Sequence, residues 1–228
     1  MQTATQKYED VKNYIGGEFH DNNGHELLEV ISPLDGSLLS NVPLSTAKDL
    51  GEAVAAAKAA FPAWSALTVK ERVDILYKYR QLIVENLDEL AYLVHIENGK
   101  TIGEATAEVS KSIELTEFAC SIPQLVQGEI MEVSRGVECR IDKAPLGVVA
   151  CITPFNFPLS LVCHKVGPAL AAGNAVILKP ASDTPLIALH LVEALLDAGL
   201  PVTAISCITG SGRSVGQAIC SDKRVRKI

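Results

Sequence analysis

Three short stretches in the second half of the chain hold the side chains best suited to chemistry. In Ile152-Thr153-Pro154-Phe155-Asn156-Phe157-Pro158-Leu159, a lone Asn sits on a proline-bounded turn directly after an apolar run. Its side-chain NH2 could donate to an oxyanion forming on a substrate, and one such donor typically lowers a barrier by about 2.7–4 kcal/mol. The structural alternative is an Asn whose amide pins the turn. In Lys179-Pro180-Ala181-Ser182 a Lys closes a second apolar run. An ammonium there is costly unless it reaches solvent or an anion, so Lys179 is either a ligand group or a lysine snorkelling at a strand end. The third stretch, Gly210-Ser211-Gly212-Arg213-Ser214-Val215-Gly216, lacks the G-x-G-x-x-G spacing and reads equally as a tight turn or as a ligand loop.

The elements that must position these groups alternate. Gly147–Ile152, Ala175–Leu178 and Ile205–Ile208 read as strands covered on both faces. Helices are expected near Pro158–Ala172 (stopped by Gly173-Asn174), from Thr184-Pro185 to about Asp197, and after Gly210. That order predicts parallel βαβ units, in which groups at the carboxyl ends of neighbouring strands converge on one crevice. The first half is mostly helical. Short strands and turns over 13–44 lead to a helix capped by Ser45 or Thr46, with Leu50, Val54, Ala57 and Phe61 at helical period. Thr68-Val69-Lys70-Glu71 is a capping box opening one long amphipathic helix through Val94, ended by Asn98-Gly99-Lys100. A third amphipathic segment spans Ile102 to Val126. Residues 128–145 alternate loosely, with Ser134-Arg135-Gly136 as the turn of an extended hairpin too charged to be core.

Composition narrows the function classes. The 228 residues are 48% hydrophobic, enough for a sizeable core, and carry a net charge of −7. With a pI near 5.3 this predicts no nucleic-acid partner and no acidic membrane surface. The terminal Lys223-Arg224-Val225-Arg226-Lys227 reads as a solvated end. Met1–Asp10 has no apolar leader core. The charge-free stretch Ala144–Cys163 holds Pro145, Gly147, Pro154 and Pro158, too many helix breakers for a membrane span. Six cysteines without a C-x-x-C pair or zinc spacing predict reduced thiols, mostly small core residues, no metal, and a cytoplasmic location.

The Asn156 turn, Lys165-Val166-Gly167-Pro168-Ala169-Leu170-Ala171-Ala172-Gly173-Asn174 and Lys179-Pro180-Ala181-Ser182 together resemble the aldehyde dehydrogenase superfamily, over essentially the whole chain. The resemblance implies an α/β fold: a Rossmann-type parallel sheet with flanking helices, incomplete, plus an extended β-hairpin. It implies residues 1–128 as the helical part of a cofactor-binding domain, 129–145 as an oligomerisation hairpin, and 146–228 as the βαβ part, with the catalytic domain absent. Asn156 becomes the oxyanion donor, and Lys165 matches a lysine near the active site. NADP or NAD would be held by Ile152, Thr153, Pro154, Phe155, Lys179, Ala181, Ser182, Gly212 and Gly216, with Lys179 on the adenosine ribose and the glycine turn beside the adenine. Many NAD-preferring members carry Glu at the Ser182 position; a small hydroxyl leaves room for a 2′-phosphate, which favours NADP or dual use.

The branch is mixed. Phe118–Pro123, Gly128-Glu129 and Glu132–Arg140 resemble methylmalonate-semialdehyde dehydrogenases, which make acyl-CoA. Lys111 stands where that branch tends to carry a substrate-carboxylate Arg, and His164-Lys165 with Gly167-Pro168 resembles hydrolytic branches, so an acidic aldehyde stays open. The expected partners are a small aldehyde and further copies of the chain, as dimer or tetramer. In the family the nucleophilic Cys, the general-base Glu and a second cofactor turn follow the region matched here. The alternative is therefore a catalytically inactive truncated product, or an oligomerisation partner of a full-length dehydrogenase.

Overall fold

The computed structural model describes residues 6–228; residues 1–5, part of the segment read as leader-free, lie outside the described residues. Its centre is a six-stranded sheet. The strands of that sheet are β1 (Asn13–Ile15), β2 (Glu18–His20), β7 (Val148–Ile152), β8 (Ala175–Lys179), β9 (Ile205–Cys207) and β10 (Val225–Lys227). They lie in the order β10-β7-β8-β9-β1-β2. Four strands run parallel, and β1 joins β9 antiparallel, as does β2 to β1. The sheet is therefore mixed rather than purely parallel: the Gly16-Gly17 turn, both residues at positive φ, folds the N-terminal strand pair onto the far edge. Two separate antiparallel pairs complete the strands, β3 (Leu27–Ile31) with β4 (Leu38–Pro43) and β5 (Glu129–Ser134) with β6 (Val137–Ile141).

Alternating side chains divide the core between two faces. Val149, Cys151, Val176, Leu178, Ile205 and Cys207 belong to the larger cluster. Its helices are α2 (Val69–Glu85), α3 (Leu87–Asn98), α4 (Ile102–Cys120), α6 (Ser160–Ala171) and α7 (Pro185–Asp197). Val148, Ala150, Ala175, Ile177 and Ile208 face α1 (Ala47–Ala66) and α8 (Gln217–Ser221) through Leu50, Val54, Ala57 and Ile219. Because β10 lies on the other side of β7 from β8, the helices following β7 and β9 cover opposite faces. The carboxyl end of β7 thus lies at a topological switch point, where α/β sheets bind ligands.

Several expectations need correction. The single helix read from Val69 to Val94 is two, α2 and α3. Asn86 breaks it with φ −106°, its side-chain amide donating to the Leu82 carbonyl at 2.8 Å, the local competition that Asn offers a helix. The segment Ile102–Val126 likewise ends as α4 at Cys120, with one further turn, α5 (Ile122–Leu125), where Pro123 lies in the first turn. Thr184 does not cap α7: its hydroxyl is buried without a partner, and Glu97 of α3 accepts from Leu186 N (2.6 Å) and Ile187 N (3.1 Å) instead. The basic end is solvated as read, with Lys223, Arg224, Arg226 and Lys227 exposed, but it is not a loose tail, because Val225–Lys227 pairs parallel with β7 as the edge strand. The glycine turn enters α8 through a π-helical turn, Gly212–Gly216, rather than directly.

Candidate cofactor crevice and oxyanion turn

The carboxyl ends of β7 and β8 are in register, with Ile152 opposite Lys179. Thr153 N donates to the Lys179 carbonyl at 3.0 Å, which carries the pairing one residue beyond the strand. On the other side Leu178 stands opposite Cys207, and Ser182 Oγ donates to the Gly210 carbonyl at 3.3 Å. The three stretches singled out by residue type therefore leave the sheet at one end. Ile152, Thr153, Lys179, Ala181 and Ser182 share its rim, while Pro154, Phe155 and Asn156 continue outward as an exposed turn.

Lys179 is 5% exposed, and its ammonium donates to the Pro180 carbonyl at 3.0 Å. Burial pushes its pKa down from the ordinary lysine value. An ammonium has three donors, and Pro180 is the one acceptor that meets this group among the described residues. A ribose hydroxyl or phosphate oxygen fits that need. Gly212 and Gly216 fit too: neither has positive φ, and a Cβ at either would meet nothing within 4 Å. Gly210 differs, with φ +137° and a virtual Cβ 2.6 Å from Val215 Cγ2. The fold itself requires glycine at 210, whereas at 212 and 216 the missing side chain leaves open space.

The N-termini of α6 and α7 offer no phosphate site, although helix starts commonly do. Glu108 Oε1 accepts from Leu159 N (3.0 Å) and Ser160 N (3.1 Å), as Glu97 does at α7. At either end the amides a phosphate would need are already taken by a side chain. Glu97 is fully buried, which raises its pKa to about 8.

Asn156 is exposed and its side-chain amide makes no hydrogen bond among the described residues. It does not pin its own turn. The turn is held from outside: Asn98 Nδ2 donates to the Phe155 carbonyl at 2.6 Å and Lys100 Nζ to the Asn156 carbonyl at 2.6 Å. In the sequence Asn98-Gly99-Lys100 reads only as a helix stop, which misses this role; the signal is a cation and an amide flanking a glycine at a break between two apolar helices. Lys165 Nζ donates to the Ile152 carbonyl at 2.6 Å, against the root of the same turn. A cavity of about 470 Å3 lies beside it, lined by Lys100, Glu108, Lys111, Phe157, Ser160 and Leu161 among others. Lys111 at its edge pairs with Glu114 at 2.6 Å.

None of the buried cysteines is activated. Burial pushes Cys151 and Cys207 up to about 12, and Cys120 and Cys163 up to about 11, the reverse of what a thiolate nucleophile needs. Among the described residues no group of His, Cys, Asp and Glu is placed to hold a metal ion, and no helix is long and apolar enough to cross a membrane.

Comparison with known proteins agrees with this geometry. Residues 19–228 match the model of the aldehyde dehydrogenase family. Malonate-semialdehyde dehydrogenase 2 of a Bacillus cereus strain is 42% identical over 229 residues, covering all of this chain and 46% of that protein. A putative methylmalonate-semialdehyde dehydrogenase from Sinorhizobium meliloti 1021, solved with NAD, superposes with TM-score 0.92 at 32% identity over 97% of this chain and 45% of that one. An NADP-dependent enzyme of E. coli gives TM-score 0.91 at 38% identity over 95% and 45%. The chain spans a little under half the length of the relatives it matches. With the family model covering all but its first residues, and with the strand-end crevice in place, the chain belongs to the aldehyde dehydrogenase family.

Proposed function

We propose that this chain is the cofactor-binding part of an NAD(P)-dependent aldehyde dehydrogenase, which oxidises a small aldehyde to an acid or an acyl-CoA. The observation that carries the reading is the convergence of a buried, under-satisfied Lys179 and the open Gly212 and Gly216 on the strand ends beside the Asn156 turn. Ile152, Thr153, Pro154, Phe155, Ala181 and Ser182 complete the wall. When bound there, the nicotinamide dinucleotide supplies the hydride acceptor. Lys179 donates to the adenosine ribose, and Ser182, small and uncharged, leaves space for a 2′-phosphate, so NADP serves at least as well as NAD. Asn156 donates its free amide to the oxyanion formed as a thiolate adds to the aldehyde. Lys165 fixes the carbonyl at which strand passes into turn. The nucleophilic Cys and the general-base Glu come from the half of the dehydrogenase that this chain does not span.

Residues 6–128 and 146–228 form the cofactor-binding unit in this reading, and 129–145 the arm that joins copies into a dimer or tetramer. One face of the arm presents Met131, Val133, Val137, Cys139 and Ile141 to solvent, and Glu132 opposes Glu138 directly on the other, a repulsive pair for an isolated hairpin. Those two features also favour the second reading, an inactive subunit docked on a full-length dehydrogenase. A cytoplasmic location suits six free cysteines.

Titration with NADP and NAD tests the cofactor assignment: Lys179→Met weakens both at least about 10-fold. In the dehydrogenase that carries this chain, Asn156→Ala lowers kcat/KM by about 100-fold or more, with Tm and cofactor affinity unchanged. A stability loss with near-normal activity of the folded fraction refutes the oxyanion role.

A further inference from the structure

We propose that Lys100, assisted by Asn98, is a positioning residue that aims the Asn156 amide; the proposal rests on the oxyanion reading above. The aim of a side chain is set by its backbone, and the backbone of this turn has no anchor in the Asn156 side chain. Its anchors are the two carbonyl contacts from Asn98 and Lys100, both at 2.6 Å. Lys100 Nζ lies also 4.2 Å from the centre of the Phe157 ring. Its charge is met by Glu108, whose side chain is 1% exposed and whose other oxygen accepts from Leu159 N and Ser160 N. Residues 155–160 are thus gripped at five positions by side chains from the segment 98–108.

Gly99 makes the grip possible. Its φ of +84° turns the chain so that Asn98 and Lys100 both face the turn, and a Cβ there would stand 2.8 Å from Pro33 Cγ. Lys100 combines a charge for Glu108 with a donor for the Asn156 carbonyl. An uncharged side chain would release the turn and leave Glu108 without its counter-ion. Displacing a donor by about 1 Å is enough to cost up to about 100-fold in rate.

The test is a double-mutant cycle in the full-length dehydrogenase that carries this chain, read as kcat, KM and hydrogen exchange. Lys100→Met lowers kcat/KM for the aldehyde about 10- to 100-fold through kcat, shifts the cofactor KM far less, since Phe155 is one of several wall residues, and speeds exchange of the amides of 155–160. In the Asn156→Ala background the same substitution costs less than about 2-fold, because the group it aims is gone. Lys100→Arg, which keeps charge and donors, recovers most of the loss. Should Lys100→Met not fold, Asn98→Ala decides on the same cycle, since it frees the Phe155 carbonyl while leaving the Glu108 pair intact. Additive losses, or near-normal kcat in the Lys100 or Asn98 variant while Asn156→Ala is severely impaired, overturn the proposal and leave the oxyanion reading standing. An inert Asn156→Ala overturns the oxyanion reading itself.

Discussion

Ser182→Glu is the substitution that most directly interrogates cofactor choice. Ser182 is half-buried on the loop after β8, three residues beyond buried Lys179, and its hydroxyl is tied to the Gly210 carbonyl at 3.3 Å. Losing that long hydrogen bond costs about 0.5–1.5 kcal/mol, but the loss falls on both cofactors and cancels from their ratio. What does not cancel is charge. A carboxylate about 6 Å from a doubly charged 2′-phosphate, at an effective dielectric of about 40 for a half-exposed site, repels it by about 2.8 kcal/mol, or about 100-fold in affinity. NAD meets no such repulsion, and its ribose hydroxyls gain a charged acceptor, so the NADP/NAD affinity ratio falls by about 100-fold or more. Isothermal titration with both cofactors reads this directly. Ser182→Ala controls for the lost hydroxyl and shifts the ratio by less than about 3-fold. Raising the ionic strength to about 1 M, where the Debye length is about 3 Å, recovers part of the NADP binding. An unchanged ratio in a folded Ser182→Glu protein refutes the placement of residue 182 beside the ribose.

Two further predictions concern the frame around the site. Burial raises Glu97 to about 8 from an ordinary 4.5, so between those pH values the folded chain holds a proton that the unfolded chain has lost. Its contribution to stability is complete below pH 4.5 and declines as pH rises through 8, by up to about 1.4 kcal/mol per pH unit. Urea unfolding at about pH 5, 6.5 and 8 measures that slope; Glu97→Gln flattens it, and identical slopes in both proteins refute the assignment. For the arm, Met131→Asp with Val133→Asp places two charges on the exposed apolar face of the hairpin and lowers the assembled mass in sedimentation. An unaltered mass shows that copies join elsewhere.

The second half of the chain is readable because its signals are local. Continuous apolar runs mark β7, β8 and β9, Gly173 and Gly199 mark helix ends with positive φ, and the Thr68 capping box forms as its spacing predicts. The residues with chemical potential are legible as members of one crevice, since parallel strands separated by helices must end together. The breaks at Asn86 and Ser121 are harder. Apolar periodicity runs straight through both, and the choice is made by a single side-chain hydrogen bond in one case and a turn with Pro123 in the other. The edge strand β10 is Val225-Arg226-Lys227, two of its three residues charged and exposed, so it has no apolar run of the kind that announces β9.

The contacts that hold the Asn156 turn are the least legible, and the reason is distance along the chain. Helix α6, which follows Asn156 and bears Lys165, is clamped at both ends by charges opposite to its own dipole. At its start stands Glu108, 51 residues before Leu159; near its end Arg72, 99 residues before Ala171, donates Nε to the Ala171 carbonyl at 2.9 Å. Read along their own helices, both charges fall on buried faces, where an unpaired charge is costly: Glu108 lies beside Ala105, Val109 and Ser112, and Arg72 beside Val73 and Leu76. A buried charge inside an amphipathic helix therefore signals that a second element ends against it. It does not say which one, and here only the fold shows that both charges belong to α6. Gly173 completes the logic: a Cβ there would lie 3.1 Å from Arg72 Cζ, so the glycine that ends α6 also makes room for the guanidinium that holds it. The turn carrying Asn156 thus stands between a helix clamped at both termini and a strand end tied to Lys179, which is the rigidity that the proposed role of Asn156 as oxyanion donor requires.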